Sequence, residues 1–418
     1  MSVFSQLEER QQQNNPIRVG VIGAGQMGFG MVSQIAHIPG MIVTGISDIN
    51  LENADKAKEA YLESSTKEAH DILTSTNLKE VIQSETTEII VDATGIPEVG
   101  AKIALETLIA HKNIVLLNVE VDITIGSLMK KLYDAAGLVY TGSDGDEPAA
   151  TLGLVDFAKS MGLEVLVAGK GKNNKLNPAA NPSTAAEEAK QKDMSPNMLA
   201  AFQDGTKTMA EMTLLSNATG FNSDVVGMHG IAGDLDSIIK DLNLKENGGI
   251  LNNFNVVEYV DGLAPGVFII VKGKNVGVIN ELNYLLKKGD RDHHVLYRPF
   301  HLASLETPIT IANAMLNSTP AIAPIAAPVS ETVAVAKKDI KKGETIDGIG
   351  GYCVRGVMES SEQMAEGNHI PIGLISGNII AKSDIATGEF LTEENTQLDK
   401  NTTVWKLRKL QDEYFANE

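Results

Sequence analysis

The sequence has almost no cysteine and no long apolar run. Cys353 is the one cysteine among 418 residues, so an internal disulfide, a CxxC redox centre and a thiolate zinc site are all excluded. No apolar stretch approaches the length that a bilayer requires. The first residues are charged and polar where a signal peptide needs an apolar core. We therefore expect a cytoplasmic protein without a membrane role.

Positive charge is also scarce. Lysine and arginine number 35 against 54 acidic residues, which gives a formal net charge of -19. Nucleic acids and anionic lipids both require a cationic face, so neither is an expected partner. The hydrophobic fraction of 43% is typical of a packed globular chain, and the length predicts two or three domains. A small anionic ligand would need a local cluster of basic residues.

Short aliphatic runs alternate with helical patterns in the first third of the chain. This order predicts βαβ units and a parallel sheet. A second α/β region follows, and the polar stretch 172–197 within it is predicted to be a loop over a site or a disordered insertion. The predicted strands are 17–22, 41–47, 88–93, 113–117, 138–141, 163–168 and 266–272.

The last quarter of the chain contains an internal repeat. Residues 334–347 and 379–392 share the pattern A-K-x-D-I-x-x-G-E, in which an aliphatic strand leads into a glycine turn. Three prolines at intervals of four residues precede it and indicate a stiff linker. The repeat predicts a small β-rich domain, whose motif resembles the SAF domain. We expect this segment to shape assembly or to cover the site without supplying catalytic groups.

The fold class that follows is α/β, with an N-terminal Rossmann domain, a central α+β catalytic domain and a small C-terminal β-rich SAF domain. The predicted boundaries are an N-terminal arm at 1–16, the Rossmann domain at 17–147, the catalytic domain at 148–316, a Pro/Ala linker at 317–330, the SAF domain at 331–400 and a C-terminal tail at 401–418.

A glycine-rich motif directly follows the first predicted strand. Gly23, Gly25 and Gly28 form GxGxxG at the opening of a helix, which is the context of a dinucleotide-binding turn. Asp48 ends the second strand, where a carboxylate binds the ribose hydroxyls. The alternative is a structural glycine turn with an ordinary aspartate cap. The predicted cofactor-binding residues here are Gly23, Ala24, Gly25, Gln26, Met27, Gly28 and Asp48.

The sequence leaves both NAD and NADP open as the cofactor. Asp48 favours NAD, because its charge repels a 2′-phosphate and no arginine follows it, yet Lys56 and Lys58 lie nearby. Residues at the ends of the next two strands face the same crevice. These further cofactor-binding predictions are Thr94, Gly95, Asn118 and Glu120.

Three carboxylates follow the fifth predicted strand. Asp144, Asp146 and Glu147 are spaced closely enough to share a hard divalent cation, which prefers oxygen ligands. Alternatively, the two aspartates solvate a turn and Glu147 begins a helix, where an acidic residue suits the dipole.

A basic patch directly follows the strand that is predicted at 163–168. It contains Lys170, Lys172, Asn173, Asn174 and Lys175 in an otherwise acidic protein. Lysines and asparagine amides can hold a phosphate or a carboxylate, and a desolvated lysine can protonate a carbonyl oxygen as it becomes an alkoxide. The alternative is an exposed basic turn.

Two further groups are candidates for the reacting site. Lys207 and Glu211 are four residues apart on a predicted helix, so they share a face, although a surface salt bridge also explains the pair. Arg298 could clamp an anion with two hydrogen bonds, and His301 is a second substrate-binding candidate. The predicted catalytic residues are Glu147, Lys170, Lys172, Lys207 and Glu211.

These motifs together carry a family resemblance over nearly the whole chain. They resemble the homoserine-dehydrogenase-related proteins with a C-terminal SAF domain, and within that group the 1-deoxy-D-xylulose 5-phosphate reductoisomerase-like enzymes and the apionate oxidoisomerases. The resemblance implies a combined skeletal isomerisation and hydride transfer, with NADP and a divalent metal, Mg²⁺ or Mn²⁺. The implied substrate is a small anionic polyol or ketol, either a sugar phosphate or a branched sugar acid. We also expect a homo-oligomer. The motifs are GAGQMG, DATGIPEVG, GDEPA, GKGKNN, DGTKTMAEM and YRPFHL.

Two alternative functions stay open. True homoserine dehydrogenases carry an Ala-Asn-Lys motif after the fourth strand, whereas Asn118-Val119-Glu120 stands here, so homoserine oxidation is the weaker interpretation. A dinucleotide-binding sensor without turnover could use the same fold. Convergence of the predicted catalytic residues beside the nicotinamide would favour an enzyme.

Overall fold

The computed structural model describes residues 1–68, 70–172, 174–286, 289–290 and 292–417. Contacts divide the chain into two compact units. Unit 1 comprises Met1–Ala149, Leu302–Ala323 and Lys406–Glu418, and unit 2 comprises Ala150–His301 and Pro324–Trp405. The domain boundaries that the sequence suggested stay predictions.

The secondary structure of the described residues alternates strands and helices. The strands are β1 Ile17–Ile22, β2 Met41–Ser47, β3 Leu73–Ser75, β4 Ile89–Asp92, β5 Asn113–Leu116, β6 Tyr140–Gly142, β7 Glu164–Lys172, β8 Ile231–Ala232, β9 Val256–Asp261, β10 Val267–Lys272, β11 Gly289–Asp290, β12 His293–Arg298, β13 Ser330–Ala336, β14 Val354–Ser360, β15 Ile380–Ala381 and β16 Thr396–Gln397. The helices are α1 Val3–Gln12, α2 Gln26–Ile35, α3 Leu51–Ser64, α4 Leu78–Gln83, α5 Pro97–Ile109, α6 Val119–Ala135, α7 Glu147–Ser160, α8 Pro182–Gln191, α9 Pro196–Gln203, α10 Thr206–Thr219, α11 Ile238–Asp241, α12 Val276–Leu286, α13 Thr307–Asn317, α14 Ser361–Gly367 and α15 Thr403–Phe415. None of the helices in the described ranges is both long and apolar enough to cross a bilayer.

Unit 1 contains a six-stranded sheet in the order β3-β2-β1-β4-β5-β6. Every pairing in it is parallel. Helices must therefore cover both faces, which explains why the aliphatic strands are buried nearly throughout. The predicted Rossmann sheet is confirmed. Strand β3 was not predicted, because a three-residue strand with a partly exposed side carries no periodic signal.

Helix α6 is bonded to the C-terminal helix α15 through Gln411. The Gln411 Oε1 accepts from the Leu128 N–H at 3.0 Å, and its Nε2 donates to the Thr124 carbonyl at 3.2 Å. These two backbone groups form the i, i+4 pair that a regular helical turn joins. Arg408 donates to the same carbonyl at 3.3 Å. The predicted tail at 401–418 therefore contains a helix that packs into unit 1.

Unit 2 is built on a mixed sheet in the order β11-β12-β10-β7-β9-β8. Strand β7 lies in the interior, antiparallel to β10 and parallel to β9. Helix α10 packs on one face, where Met209 and Met212 join Ala168 and Tyr259 in a buried cluster. Strands β7 and β10 were predicted, whereas β9 and β12 were not, because their charged residues interrupt the aliphatic pattern.

The polar stretch 172–197 is not the long loop that the sequence analysis proposed. It contains α8 and the start of α9. Asn181 accepts hydrogen bonds from the backbone of Ser183 and Thr184, and the Thr184 hydroxyl accepts from the Asn181 N–H, which is a complete capping box. Alanine, glutamate, lysine and glutamine then favour helix. The asparagines and prolines that suggested a loop are helix-start signals here.

The two sequence repeats pair with each other in unit 2. Ile340 and Ile385 occupy the same position in the two copies, and each donates its N–H to the carbonyl of the other at 2.9 Å. Asp339 accepts from the Thr387 N–H, and Asp384 accepts from the Lys342 N–H, so the equivalent contacts are made twice. Backbone hydrogen bonds between the two copies therefore account for the predicted β-rich character of this segment.

Candidate functional site

The glycine motif forms a tight turn between β1 and α2 in unit 1. Gly23 has a φ of +96°, and an added Cβ would lie 2.8 Å from the backbone of Ala93. A Cβ on Gly28 would lie 1.9 Å from the Gly23 carbonyl oxygen. Both positions therefore require glycine for the turn and for the close approach of the helix.

Gly25 differs from its two neighbours because it has open space beside it. A Cβ built there would meet no atom within 4 Å, and its backbone is extended, with φ -68° and ψ -169°. Gln26 and Met27 begin α2 and are exposed. The free space lies at a helix N-terminus, whose N–H groups and dipole suit a phosphate. These residues therefore fit a pyrophosphate.

Asp48 is bonded to the glycine turn itself. Its Oδ2 accepts from the Ala24 N–H at 2.8 Å, and its Oδ1 accepts from the Asn50 N–H at 2.9 Å. The carboxylate therefore fixes the turn as well as standing where a ribose is expected.

A buried polar network lies at the ends of β4 and β5. The Asn118 amide donates to Asp92 at 3.0 Å and to the Ile96 carbonyl at 3.1 Å, while its oxygen caps α6. Thr94 donates to Asp92 from both its backbone and its hydroxyl. Burial raises the pKa of Asp92 to about 6. Asn118 is thus a structural organiser of this edge, and Glu120 is buried beside it.

The three carboxylates after β6 lie in unit 1. Asp144 accepts from the Thr310 hydroxyl at 3.3 Å, and Asp146 accepts from the Glu147 N–H at 3.2 Å. Glu147 begins α7 and is only 6% exposed. Oxygen donors of this kind fit a hard divalent cation in their chemistry. The metal assignment stays a proposal.

In unit 2, Lys170 and Glu211 form a buried ion pair between β7 and α10. The Lys170 ammonium donates to the Glu211 carboxylate, and both side chains are about 5% exposed or less. The interpretation of Glu211 as part of a surface salt bridge is therefore wrong. Burial of both charges has a desolvation cost that their mutual attraction must offset.

Lys172 lies two residues further along β7, on the same face as Lys170. Its ammonium donates to the Phe202 carbonyl at 2.9 Å. Burial lowers the pKa of Lys172 to about 8, and the nearby Lys170 charge acts in the same direction. The exposed-turn interpretation is also wrong for Lys170 and Lys172, which are 4% and 5% exposed.

The other predicted site residues of unit 2 have varied positions. Lys207 lies in the first turn of α10 and is half-buried. Arg298 pairs with Val267, which also pairs with Lys170, so Arg298 and Lys170 lie in one row of the sheet. Asn174 and His301 are partly buried. Asn173 lies outside the described residues.

Sequence reasoning missed a second buried ion pair near the same helix. Asp204 and Lys337 meet at 2.6 Å, with side chains at most 2% exposed. The partners are 133 residues apart, and the lysine comes from the first copy of the repeat. No local pattern links positions so far apart. The one local signal for this pair is that Lys337 directly follows an aliphatic strand.

The strand order in unit 1 matches the Rossmann order, in which a dinucleotide binds at the carboxyl ends of the strands. Residues 145–307 match the sequence family described as the catalytic domain of oxidoreductase DRL. The strand order and the glycine turn define a dinucleotide-binding fold, and the match makes part of the chain similar to the catalytic domain of an oxidoreductase.

Several solved structures are similar to the chain. A probable dehydrogenase from Thermotoga maritima is 12% identical, with 74% of this chain and 91% of that one covered and a TM-score of 0.45. A myo-inositol dehydrogenase from Corynebacterium glutamicum is 12% identical, with 72% and 89% covered and a TM-score of 0.44. The WlbA dehydrogenase from Bordetella pertussis, in complex with NADH and UDP-GlcNAcA, is 21% identical, with 39% and 49% covered and a TM-score of 0.31. None of the curated proteins matches at a significant level.

Proposed function

We propose that the chain is an NAD(P)-dependent reductoisomerase or oxidoisomerase that acts on an anionic polyhydroxylated ketol, either a sugar phosphate or a branched sugar acid. The observation that carries the proposal is the buried group of Lys170, Glu211 and Lys172 in unit 2. A desolvated cluster with a shifted lysine pKa is typical of a reacting site.

The residues of this cluster have distinct roles in the proposal. Glu211 keeps Lys170 charged and oriented, because the carboxylate compensates the buried ammonium. Lys170 can then hold a proton near a carbonyl oxygen that gains negative charge. Lys172 supplies a second positive charge that stabilises negative charge on the substrate, and Lys207 is proposed to contribute a third from α10.

Two further groups are required by the proposed chemistry. Gly23, Gly25, Gly28 and Asp48 would hold the dinucleotide, which supplies or accepts the hydride. A divalent cation, for which Asp144, Asp146 and Glu147 are the proposed oxygen donors, would polarise the ketol oxygens.

A substrate screen with both NADH and NADPH tests the proposal. The purified full chain is assayed against sugar phosphates, branched sugar acids and homoserine. Turnover of a sugar phosphate or sugar acid with rearrangement of the carbon skeleton is the expected result. Oxidation of homoserine alone would contradict the proposal and indicate a homoserine-dehydrogenase-type activity. Saturable dinucleotide binding without any turnover would instead indicate a sensor.

Asp48 is expected to select between the two dinucleotides. The substitution Asp48→Asn removes the charge that repels a 2′-phosphate but keeps one oxygen for the Ala24 or Asn50 N–H. Because close like charges near a surface cost on the order of a few kcal/mol, the ratio of NADPH to NADH affinity should rise by about tenfold or more. Glu52→Gln, which removes an exposed charge from α3 nearby, is the matched control. An unchanged ratio in Asp48→Asn would show that Asp48 is not the selector.

A further inference from the structure

We propose that Arg355 and Lys172 form an anion-binding site in unit 2 for the phosphate or carboxylate group of the substrate. The segment 331–400, which was expected to cover the site without supplying catalytic groups, would then supply a substrate-binding residue. This inference rests on the proposed function for the identity of the ligand, but the site itself is argued from geometry and charge.

Arg355 lies on β14, a strand that is fixed to the N-terminus of α10. The next residue, Gly356, donates its N–H to the Thr206 hydroxyl at 2.8 Å. A Cβ on Gly356 would lie 2.6 Å from Thr332 and 3.1 Å from Thr206, so only glycine allows this approach. Thr206 is the first residue of the helix that carries Lys207 and Glu211. The backbone beside Arg355 is therefore bonded directly to the first turn of the helix that carries Lys207 and Glu211.

Two buried acidic residues of this region, Asp204 and Glu211, are already paired with lysines. Lys337 donates to Asp204 at 2.6 Å and also to two backbone carbonyls. Lys170 neutralises Glu211. Asp261, which pairs with Lys172 in the sheet register, is exposed, so water screens its charge. Lys172 and Arg355 are two positive charges of this region that no carboxylate binds within the described part of the chain.

The Arg355 guanidinium makes no hydrogen bond or ion pair with any residue in the described part of the chain. It is nevertheless partly buried, and burial lowers its pKa. The opposite charge that it experiences most strongly is that of Asp204, which Lys337 already binds. A desolvated guanidinium without a partner is costly, whereas an anion can accept two parallel hydrogen bonds from it.

Tyr259 adds a hydroxyl to the same place. It lies on β9 directly beside Lys170 in the register, and its side chain is in the cluster beneath α10. The hydroxyl interacts electrostatically with Arg355. The backbone of Gly230 passes so close that a Cβ there would lie 2.1 Å from the hydroxyl oxygen. Lys172, Arg355 and Tyr259 thus offer ammonium, guanidinium and hydroxyl donors near the carboxyl ends of β7 and β9.

Calorimetric titration of the full chain with inorganic phosphate, and separately with acetate, tests this site without cofactor or turnover. We expect wild-type protein to bind at least one of them saturably. Arg355→Gln should weaken that binding by at least about tenfold, since hydrogen bonds to a charged group are lost. Arg355→Lys keeps the positive charge but loses the two parallel donors of the guanidinium, so it should have an intermediate effect. Tighter binding of phosphate indicates a phosphorylated substrate, and tighter binding of acetate indicates a carboxylate.

The control is Lys341→Gln, which removes an exposed positive charge from the same segment and should leave anion affinity unchanged. Melting temperatures establish that each variant is folded. Absence of saturable binding of either anion by the wild type, or equal affinity in Arg355→Gln, would overturn the inference. If Arg355-dependent anion binding persists while the substrate screen finds no turnover, the proposed function fails and the anion site stands.

Discussion

Replacing Lys172 with alanine is expected to lower turnover by at least about a hundredfold while dinucleotide affinity is retained. The loss of one charge-stabilising donor from a desolvated site typically raises the barrier by about 2.7–4 kcal/mol. Lys172 is 5% exposed and lies in unit 2, whereas the glycine motif belongs to unit 1. We expect the same result for Lys207→Ala. Steady-state kinetics on the substrate from the screen, together with dinucleotide titration, measure the two quantities.

The pH dependence of the same variant gives an independent signature. The pKa of Lys172 is lowered to about 8, so its charge is present below that pH and is lost as the pH rises through it. Wild-type kcat/KM should therefore fall above about pH 8, and Lys172→Ala should lack this decline. Lys175→Ala, which removes an exposed lysine nearby, is the control. Turnover within a few-fold of the parent in both Lys172→Ala and Lys207→Ala would refute the site assignment.

Removing Glu211 should destabilise unit 2 severely. The substitution Glu211→Leu removes the carboxylate that binds the buried Lys170 ammonium, and breaking a buried ion pair from one side typically costs about 3–5 kcal/mol. The double variant Lys170→Met/Glu211→Leu removes both charges and should recover most of that stability, because an apolar pair of similar volume avoids the desolvation cost. The double variant should nevertheless be inactive if the pair serves catalysis.

Urea unfolding of the two variants and of a surface control measures this effect. Lys192 and Glu188 form an exposed i, i+4 pair, so Glu188→Gln should change the free energy of unfolding by less than about 1 kcal/mol. If Glu211→Leu lowered the free energy of unfolding as little as the control does, the buried Lys170 ammonium would not need Glu211 for stability. Full activity in the double variant would assign the pair a purely structural role.

Unit 1 could be predicted from the sequence because its signals are local. Five aliphatic strands lie close to their predicted positions, and the glycines follow directly after the first of them. The turn at Gly23 and the packing at Gly28 have the geometry that such a motif requires. The hydrogen bond from the Asn118 amide to Asp92 could not be predicted, because the two residues lie at the ends of different strands.

Unit 2 was harder to predict because its contacts are distant in sequence. The basic patch was found because lysines that follow a strand are conspicuous in an acidic chain. Its burial was not predicted, nor was the pairing of Lys170 with Glu211 across 41 positions. The contact between Thr206 and Gly356 spans 150 positions, so no periodic pattern could show that β14 reaches α10.

The central claim is that the glycine turn of unit 1 binds a nicotinamide dinucleotide, and titration of NADH and NADPH into wild-type protein and Gly25→Ala tests it most directly. A Cβ at Gly25 meets no protein atom within 4 Å, so the variant should keep the parent melting temperature. The same Cβ would occupy the space that a pyrophosphate requires. The account predicts saturable binding of at least one dinucleotide by the wild type and at least about tenfold weaker binding by the variant. A folded wild-type protein that binds neither dinucleotide, or a variant with the parent's affinity, would contradict it.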